Sequence, residues 1–332
     1  MTKSGFLVKQ SGVYTTVQDG GRLNALPLGV TTGGVMDEYA YLWANQLLGN
    51  ALHTPQLEVT IGGLQLIAQV DTCVVVTGAQ CTFTINGIAK PLWHVHTISR
   101  GDEIKLGYAR RGVYSYFAVM NGFICADMWG SCATVEREKI GGFNQDGSKI
   151  AQGDLLACHA VGLEDMSGLR SLSPKFIPHY YGTNEKQVLP LRLIPGYQFD
   201  ALSQPTMDYL LAHRFQVTSH SDRMGYRLRA QHNNSTSAST INPLSNMNEL
   251  TCSQGISFAA VQVPPSGEPI ILLKDRQTLG GYPVLGNILP VDAFRLSQCT
   301  AGCTVQFKLI EPLQAIAIQR IFYQQFMRKP SR

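Results

Sequence analysis

LEVTIGGLQLIAQVDTCVVVTGAQCTFTI, residues 57–85, decides the fold class. LEVTI, LQLIA, TCVVV and CTFTI are short runs of β-branched and aliphatic residues. Several of them alternate apolar with polar, the period of a half-buried strand. Gly62–Gly63 and Gly78 punctuate them, as turns or bulges require. The pattern continues outward through VYSYFAV (113–119), LRLI (191–194), FAAVQV (258–263), PIILL (269–273) and TVQFKLI (304–310). The 32 glycines and 16 prolines fit a chain of many tight turns.

Helices are few. MDEYAYLWANQLLGN (36–50) puts Ala40, Ala44, Leu47 and Leu48 on one face, with Asp37 and Glu38 in its first turn and Gly49 as its stop. PTMDYLLAH (205–213) starts at Pro205, and EPLQAIAIQRIFYQQFM (311–327) groups Ile318, Ile321, Phe322 and Phe326. Strands in two clusters with a few helices predict a mainly β, α+β chain of two closed or strongly curved barrels. Residues 161–187 lose alternation and gain Ser, Pro and Gly. They divide the chain into an N-terminal subdomain, 1–185 with the linker, and a C-terminal one, 186–332, with its closing helix. Residues 96–109 and 296–309 share a faint pattern of polar residues, a turn glycine and an alternating strand. Residues 231–250, rich in Ser, Asn and Thr, read as a long polar loop.

Hydrophobic residues make up 44% of the 332, enough for a normal core, and the net charge of +4 is spread without a long Lys/Arg run. That excludes a nucleic-acid groove as the first reading. No signal-like N-terminus and no window of ~18 apolar residues implies no membrane span, so the expected location is the cytoplasm. The eight cysteines, several inside apolar strands, are expected as free thiols.

P-loop, HExxH, GxSxG and CxxC signatures are absent. His94 and His96 share a strand face with no third ligand in view, so no metal site is assigned. Cys132 reads as a small residue in a turn ahead of a nucleophile. Three stretches carry more polar chemistry than a turn needs. YTTVQDGGR (14–22) sets Gln18, Asp19 and Arg22 about a glycine pair. SHSDRMGYRL (219–228) sets Ser219, Asp222, Arg223, Tyr226 and Arg227 about Gly225. KDRQTLGGYP (274–283) sets Lys274, Asp275, Gln277 and Thr278 before Gly280, Gly281 and Tyr282. Arginine forks suit carboxylate or phosphate, and paired glycines let backbone N–H groups approach a ligand.

Together with GGVMDEYAYLWANQLLGN, VVVTGA, GVYSYFAVMNGF, WGSCAT, IGGF and VQVPPSGEPIILL, these stretches closely resemble the biotin-dependent carboxyltransferase-like family. That group contains the KipA protein and the C component of bacterial 5-oxoprolinase. The resemblance runs in order over about residues 7–310. It implies two cyclophilin-like β-barrel subdomains and a role as the C component of an ATP-dependent 5-oxoprolinase, which opens 5-oxo-L-proline to L-glutamate. The implied partners are a KipI-like B component and an A component of the lactam-utilisation type. ATP and Mg²⁺ are expected to be shared with those partners, and a small lactam is the expected ligand. A biotin-dependent carboxyltransferase acting on urea or another amide, and a KipA-type regulatory binding protein, stay open as alternatives. No biotinyl-lysine stretch is present, so biotin would come from another protein. Departures are Leu279 where a second Thr is common, Trp129 where Met is common, and Asn24 for Gly. From residue chemistry, Lys274 or Arg223 is expected to meet phosphoryl oxygens, Gln277 or Thr278 the amide, and Asp275 or Asp19 a Mg²⁺ ion or water.

Overall fold

The computed structural model describes residues 4–162, 187–231, 242–250 and 253–327. Most of the linker, most of the polar loop and Cys252 lie outside the described residues. The chain forms two compact units, one of Met1–Leu28 with Thr32–Gly182, the other of Gly29–Thr31 with Thr183–Arg332.

The first unit contains, in chain order, β1 (Gly5–Ser11), β2 (Tyr14–Gln18), α1 (Glu38–Leu47), β3 (Gln56–Thr60), β4 (Leu64–Ala68), β5 (Thr72–Gln80), β6 (Phe83–Ile85), β7 (Ile88–Ala89), β8 (Val95–Ile98), β9 (Glu103–Leu106), β10 (Arg111–Val119) and β11 (Leu155–Ala157). One sheet has the order β11-β1-β4-β9-β6-β7 and the other β2-β3-β10-β5-β8. Phe6, Leu66 and Ile104 of the first sheet and Leu57, Val74 and Phe117 of the second belong to one buried cluster. The alternation of LEVTI and LQLIA thus supplies one inward face to each sheet. Each such side chain contributes roughly 1.5–3 kcal/mol of burial.

Helix α1 packs on β5 and β10. Asp37 caps it by accepting from the Tyr39 and Ala40 N–H groups, so it stands one position outside the first turn. The entry to the helix is fixed from below. Glu58 accepts from the Met36 N–H and from the Tyr116 hydroxyl, and the Asp37 N–H donates to that same hydroxyl.

The second unit contains β12 (Leu189–Pro195), α2 (Gln204–Ala212), β13 (Phe215–Val217), β14 (Gly225–Ala230), β15 (Gln254–Gly255), β16 (Ala260–Gln262), β17 (Ile270–Leu272), β18 (Leu279–Gly280), β19 (Val284–Ile288), α3 (Pro290–Ser297), β20 (Thr304–Leu309) and α4 (Pro312–Met327). Seven strands close into a barrel, β12-β19-β16-β17-β14-β13-β20. The parallel pairing of β12 with β20 completes it, and the other pairs are antiparallel. The mainly β architecture with a few helices is as the sequence implies. Helix α3 is an addition to the three expected helices. Ile321 is exposed, in contrast to its expected grouping with Ile318 and Phe322, because it lies about 100° around α4 from the stripe that includes Ala315 and Phe326.

Candidate functional site

YTTVQDGGR lies in the first unit, and its polar residues are committed inside it. Gln18 and Arg22 are fully buried and Asp19 nearly so. Gln18 Nε2 donates to Thr16 Oγ1 and to the Thr134 carbonyl, both at 3.0 Å. Asp19 accepts from the Gly21 N–H, the Ser131 hydroxyl and the Cys132 N–H. Arg22 donates to the carbonyls of Met128, Ser131 and Ala133. Gly141, at φ +70°, passes so close that an added Cβ would overlap the Ala133 carbonyl and Arg22 Nη2. WGSCAT and IGGF are therefore the walls of an arginine slot. In that slot the Cys125 thiol and burial push the Cys132 thiol up, away from thiolate chemistry.

The second and third motifs meet in the barrel, because β14 pairs with β17 and Asp275 N–H donates to the Arg223 carbonyl. Arg223 grips Asp275 with two parallel bonds, 2.8 Å from Nε and 2.9 Å from Nη2. Tyr226 is buried and donates its hydroxyl to the Ser297 carbonyl at 2.6 Å, anchoring β14 to α3. Lys274 is half-buried, its ammonium 4.5 Å from the Phe258 ring centre and 5.8 Å from that of Phe294. Arg276 is buried and donates to the carbonyls of Ile256 and Leu273. Burial lowers its pKa to about 10 against the pull of Asp275.

What the two motifs share is a cleft of about 230 Å³. Asp222 and Arg227 from the second and Gln277 and Tyr282 from the third line it, with Ile270 and Leu272 as apolar wall. Arg227 and Tyr282 are exposed, and Asp222 Oδ1 accepts from the Met224 and Gly225 N–H groups. Gln277 Nε2 donates to Gln262 Oε1 at 3.4 Å. Ser219 and Gly281 are exposed, Thr278 is half-buried with its carbonyl accepting from Ile256 N–H, and Gly280 pairs with Gln254 across β18 and β15. Lys274, Arg223 and Asp275 are not among the residues that line the cleft. Gln262 is, and nothing in its sequence context, an apolar strand, points to it.

The carboxylates proposed for Mg²⁺ do not fit that role. Both Asp275 oxygens hold Arg223, and both Asp19 oxygens hold first-unit donors. His94 and His96 turn ring nitrogens to the Leu92 and Pro91 carbonyls, and no group of three metal-binding side chains occurs among the described residues.

Residues 28–309 match the family model of the carboxyltransferase domain, subdomain A and B. The chain belongs to that family. It is 31% identical to the C component of 5-oxoprolinase from Haemophilus influenzae over 306 residues, 92% of this chain and 91% of that protein. It is 30% identical to the C component of 5-oxoprolinase from Escherichia coli over 319 residues, 95% and 96% of the two. Among solved structures, the Kluyveromyces lactis urea carboxylase superposes with a TM-score of 0.81 at 23% identity, covering 98% of this chain and 29% of that one. That similarity shows a shared fold. In this carboxyltransferase-family chain no described helix is long and apolar enough to cross a membrane.

Proposed function

We propose that this chain is the C component of an ATP-dependent 5-oxoprolinase and works with a KipI-like B component and a lactam-utilisation A component. The observation that carries this reading is the end-to-end similarity to two proteins named as that component of 5-oxoprolinase, over nine-tenths or more of their lengths. A small cleft lined by amide side chains and an arginine, in the unit that holds two of the three motifs, is consistent with it.

The reaction adds water to the lactam carbonyl carbon and breaks the C–N bond. The ring nitrogen leaves as the amine of glutamate. An unstrained lactam resists this, and ATP supplies activation by making the carbonyl oxygen part of a phosphate ester with release of ADP; once water has added and the ring nitrogen has left, a second water hydrolyses the resulting acyl phosphate and inorganic phosphate leaves. The donors of this chain suit the organic ligand. Gln277, with Gln262 behind it, presents amide groups to the lactam, and Arg227 presents a guanidinium to its carboxylate. Asp275 acts through Arg223, holding the 222–224 turn against the third motif. Lys274, outside the cleft lining and over the Phe258 ring, serves as a cation for phosphoryl oxygens brought by a partner. The nucleotide and its Mg²⁺ belong with the partner subunits, since the aspartates here are already engaged.

The test is ATP hydrolysis that depends on 5-oxoproline, measured with all three components together and with this chain alone. Dependence on 5-oxoproline in the complex, with little turnover by the chain alone, is expected. No stimulation by 5-oxoproline in the complex overturns the function. Full-rate hydrolysis by the isolated chain overturns the requirement for partners.

A further inference from the structure

Gln262 is the one polar residue of its strand, and it sits where the pairing with β19 is irregular. On β19, Val261 pairs with Gly286 but Gln262 pairs with Val284, so the register slips by one residue between them. On the other side Gln262 pairs with Ile270 of β17 in regular register, and Ile270 pairs with Arg227 of β14, so the three side chains share one face of the sheet. The Gln262 side chain is buried, with the residue 1% exposed, and it lines the cleft. Its Oε1 accepts from Gln277, while its Nε2 has no hydrogen-bond partner among the described residues. A buried amide hydrogen without an acceptor is a standing cost that a ligand atom would remove. The space above it is kept open by Gly280, where an added Cβ would stand 2.5 Å from Gln262 Nε2.

Two further features define what would fill the cleft. Arg227 is exposed and its guanidinium makes no hydrogen bond or ion pair among the described residues, although its backbone N–H is held by Ser221 Oγ. Asp222, the one carboxylate of the lining, already accepts two backbone N–H groups. The volume of about 230 Å³ is below the roughly 300–1,000 Å³ typical of pockets for drug-sized ligands. It suits a small ring better than a nucleotide.

We propose that Gln262 and Arg227 together read a small planar amide that carries a carboxylate, Gln262 meeting the amide and Arg227 the carboxylate. An amide ligand offers both a C=O and an N–H. It therefore satisfies the open end of Gln262 whichever way round the side-chain amide is held. The choice of 5-oxoproline as the natural ligand rests on the 5-oxoprolinase reading; the pairing of amide reader and carboxylate clamp does not.

The experiment is calorimetric binding to the full chain of 5-oxoproline, 2-pyrrolidinone, cyclopentanecarboxylate and N-carbamoylglycine. The second lacks the carboxylate, the third lacks the amide, and the fourth is an open-chain amide with a carboxylate. 5-Oxoproline is expected to bind at least about tenfold more tightly than either of the first two controls. Gln262→Leu should weaken 5-oxoproline by about ten- to a hundredfold and leave cyclopentanecarboxylate unchanged. Arg227→Gln should abolish the advantage of 5-oxoproline over 2-pyrrolidinone. Gly280→Ala, which crowds the same amide from β18, should reproduce the Gln262→Leu loss and keeps the test open if that variant does not fold. A folded Gln262→Leu chain that binds 5-oxoproline as tightly as the parent overturns the proposal, as does failure of both carboxylate-bearing amides to bind. If N-carbamoylglycine binds with these same sensitivities and 5-oxoproline does not, the amide-and-carboxylate site stands and the 5-oxoprolinase reading falls.

Discussion

Arg223 donates through Nε and Nη2 to the two oxygens of Asp275, and both side chains are about nine-tenths buried. Such a pair is costly to break from one side, because the survivor is left as a buried charge. Arg223→Met is expected to lower the unfolding free energy by about 3–5 kcal/mol, while adding Asp275→Leu to it should recover most of that loss. Urea denaturation measures both; equal losses in the single and double variants would show that the two residues do not act as a pair. Lys274 is a different case. Its contact with Phe258 is worth about 0.5–2 kcal/mol, so Lys274→Ala should fold. If the ammonium meets phosphoryl oxygens in the complex, turnover should fall roughly tenfold to a thousandfold, and full activity in the assembled variant would end that role. Residue types were legible in the sequence, but their partners were not. Gln18, Asp19 and Arg22 look like ligand groups until the 128–134 segment, more than a hundred positions away, is seen to absorb them. Gln262 lies in an apolar run, and only its pairing with Ile270 of β17, across from Arg227 on β14, shows that it faces the cleft.

Elements were read more fully than residues, because strand alternation and helix caps are local. LQLIA is β4 from end to end, and CTFTI, FAAVQV and PIILL each contain a shorter strand. Helix α3 was missed although it has Pro290 at its start, Asp292 in its first turn and Arg295 in its last. Only eight residues long, it shows little periodicity, and its place is fixed by Arg192, which donates to both Asp292 oxygens from β12. The likeness of 96–109 to 296–309 holds from the turn glycines onward. Gly101 and Gly302 both have positive φ and both precede a strand, but β8 comes before one and α3 before the other.

Strand β8 also carries a pH-sensitive group. Burial lowers the His96 pKa from its ordinary 6.5, and Lys90 and His94 add to this against the Pro91 carbonyl that Nε2 donates to. The unfolded chain then takes up the proton first. The contribution is fully present above about pH 6.5 and is lost as pH falls through the folded-state value. The melting temperature is expected to drop on acidification below that point, and to drop less in His96→Gln. Identical slopes for the two proteins would remove His96 as the cause.

For the whole molecule, composition bounds more than it specifies. A 44% apolar chain with 15% charged residues supports cores in both units, and a net charge of +4 draws small anions only weakly. Neither number separates a lactam from a urea ligand. The cysteines give a test that spans the molecule. The seven in described positions are free thiols, three of them buried, and Cys252 lies outside those residues. Burial raises the Cys158 thiol to about 12 and also raises Cys73 and Cys81. These three are neutral near pH 7 and slow to react. Two pairs, Cys125 with Cys132 and Cys299 with Cys303, are close enough to share hydrogen bonds, so oxidation would remove thiols two at a time. Thiol titration of protein purified without reductant and protected from air should give well under eight fast-reacting groups in the native state. After denaturation it should give all eight. A denatured count of about six or fewer means that a disulfide is part of the native protein; mapping the missing pair by peptide mass would then show whether the 125–132 slot or the 299–303 turn holds it.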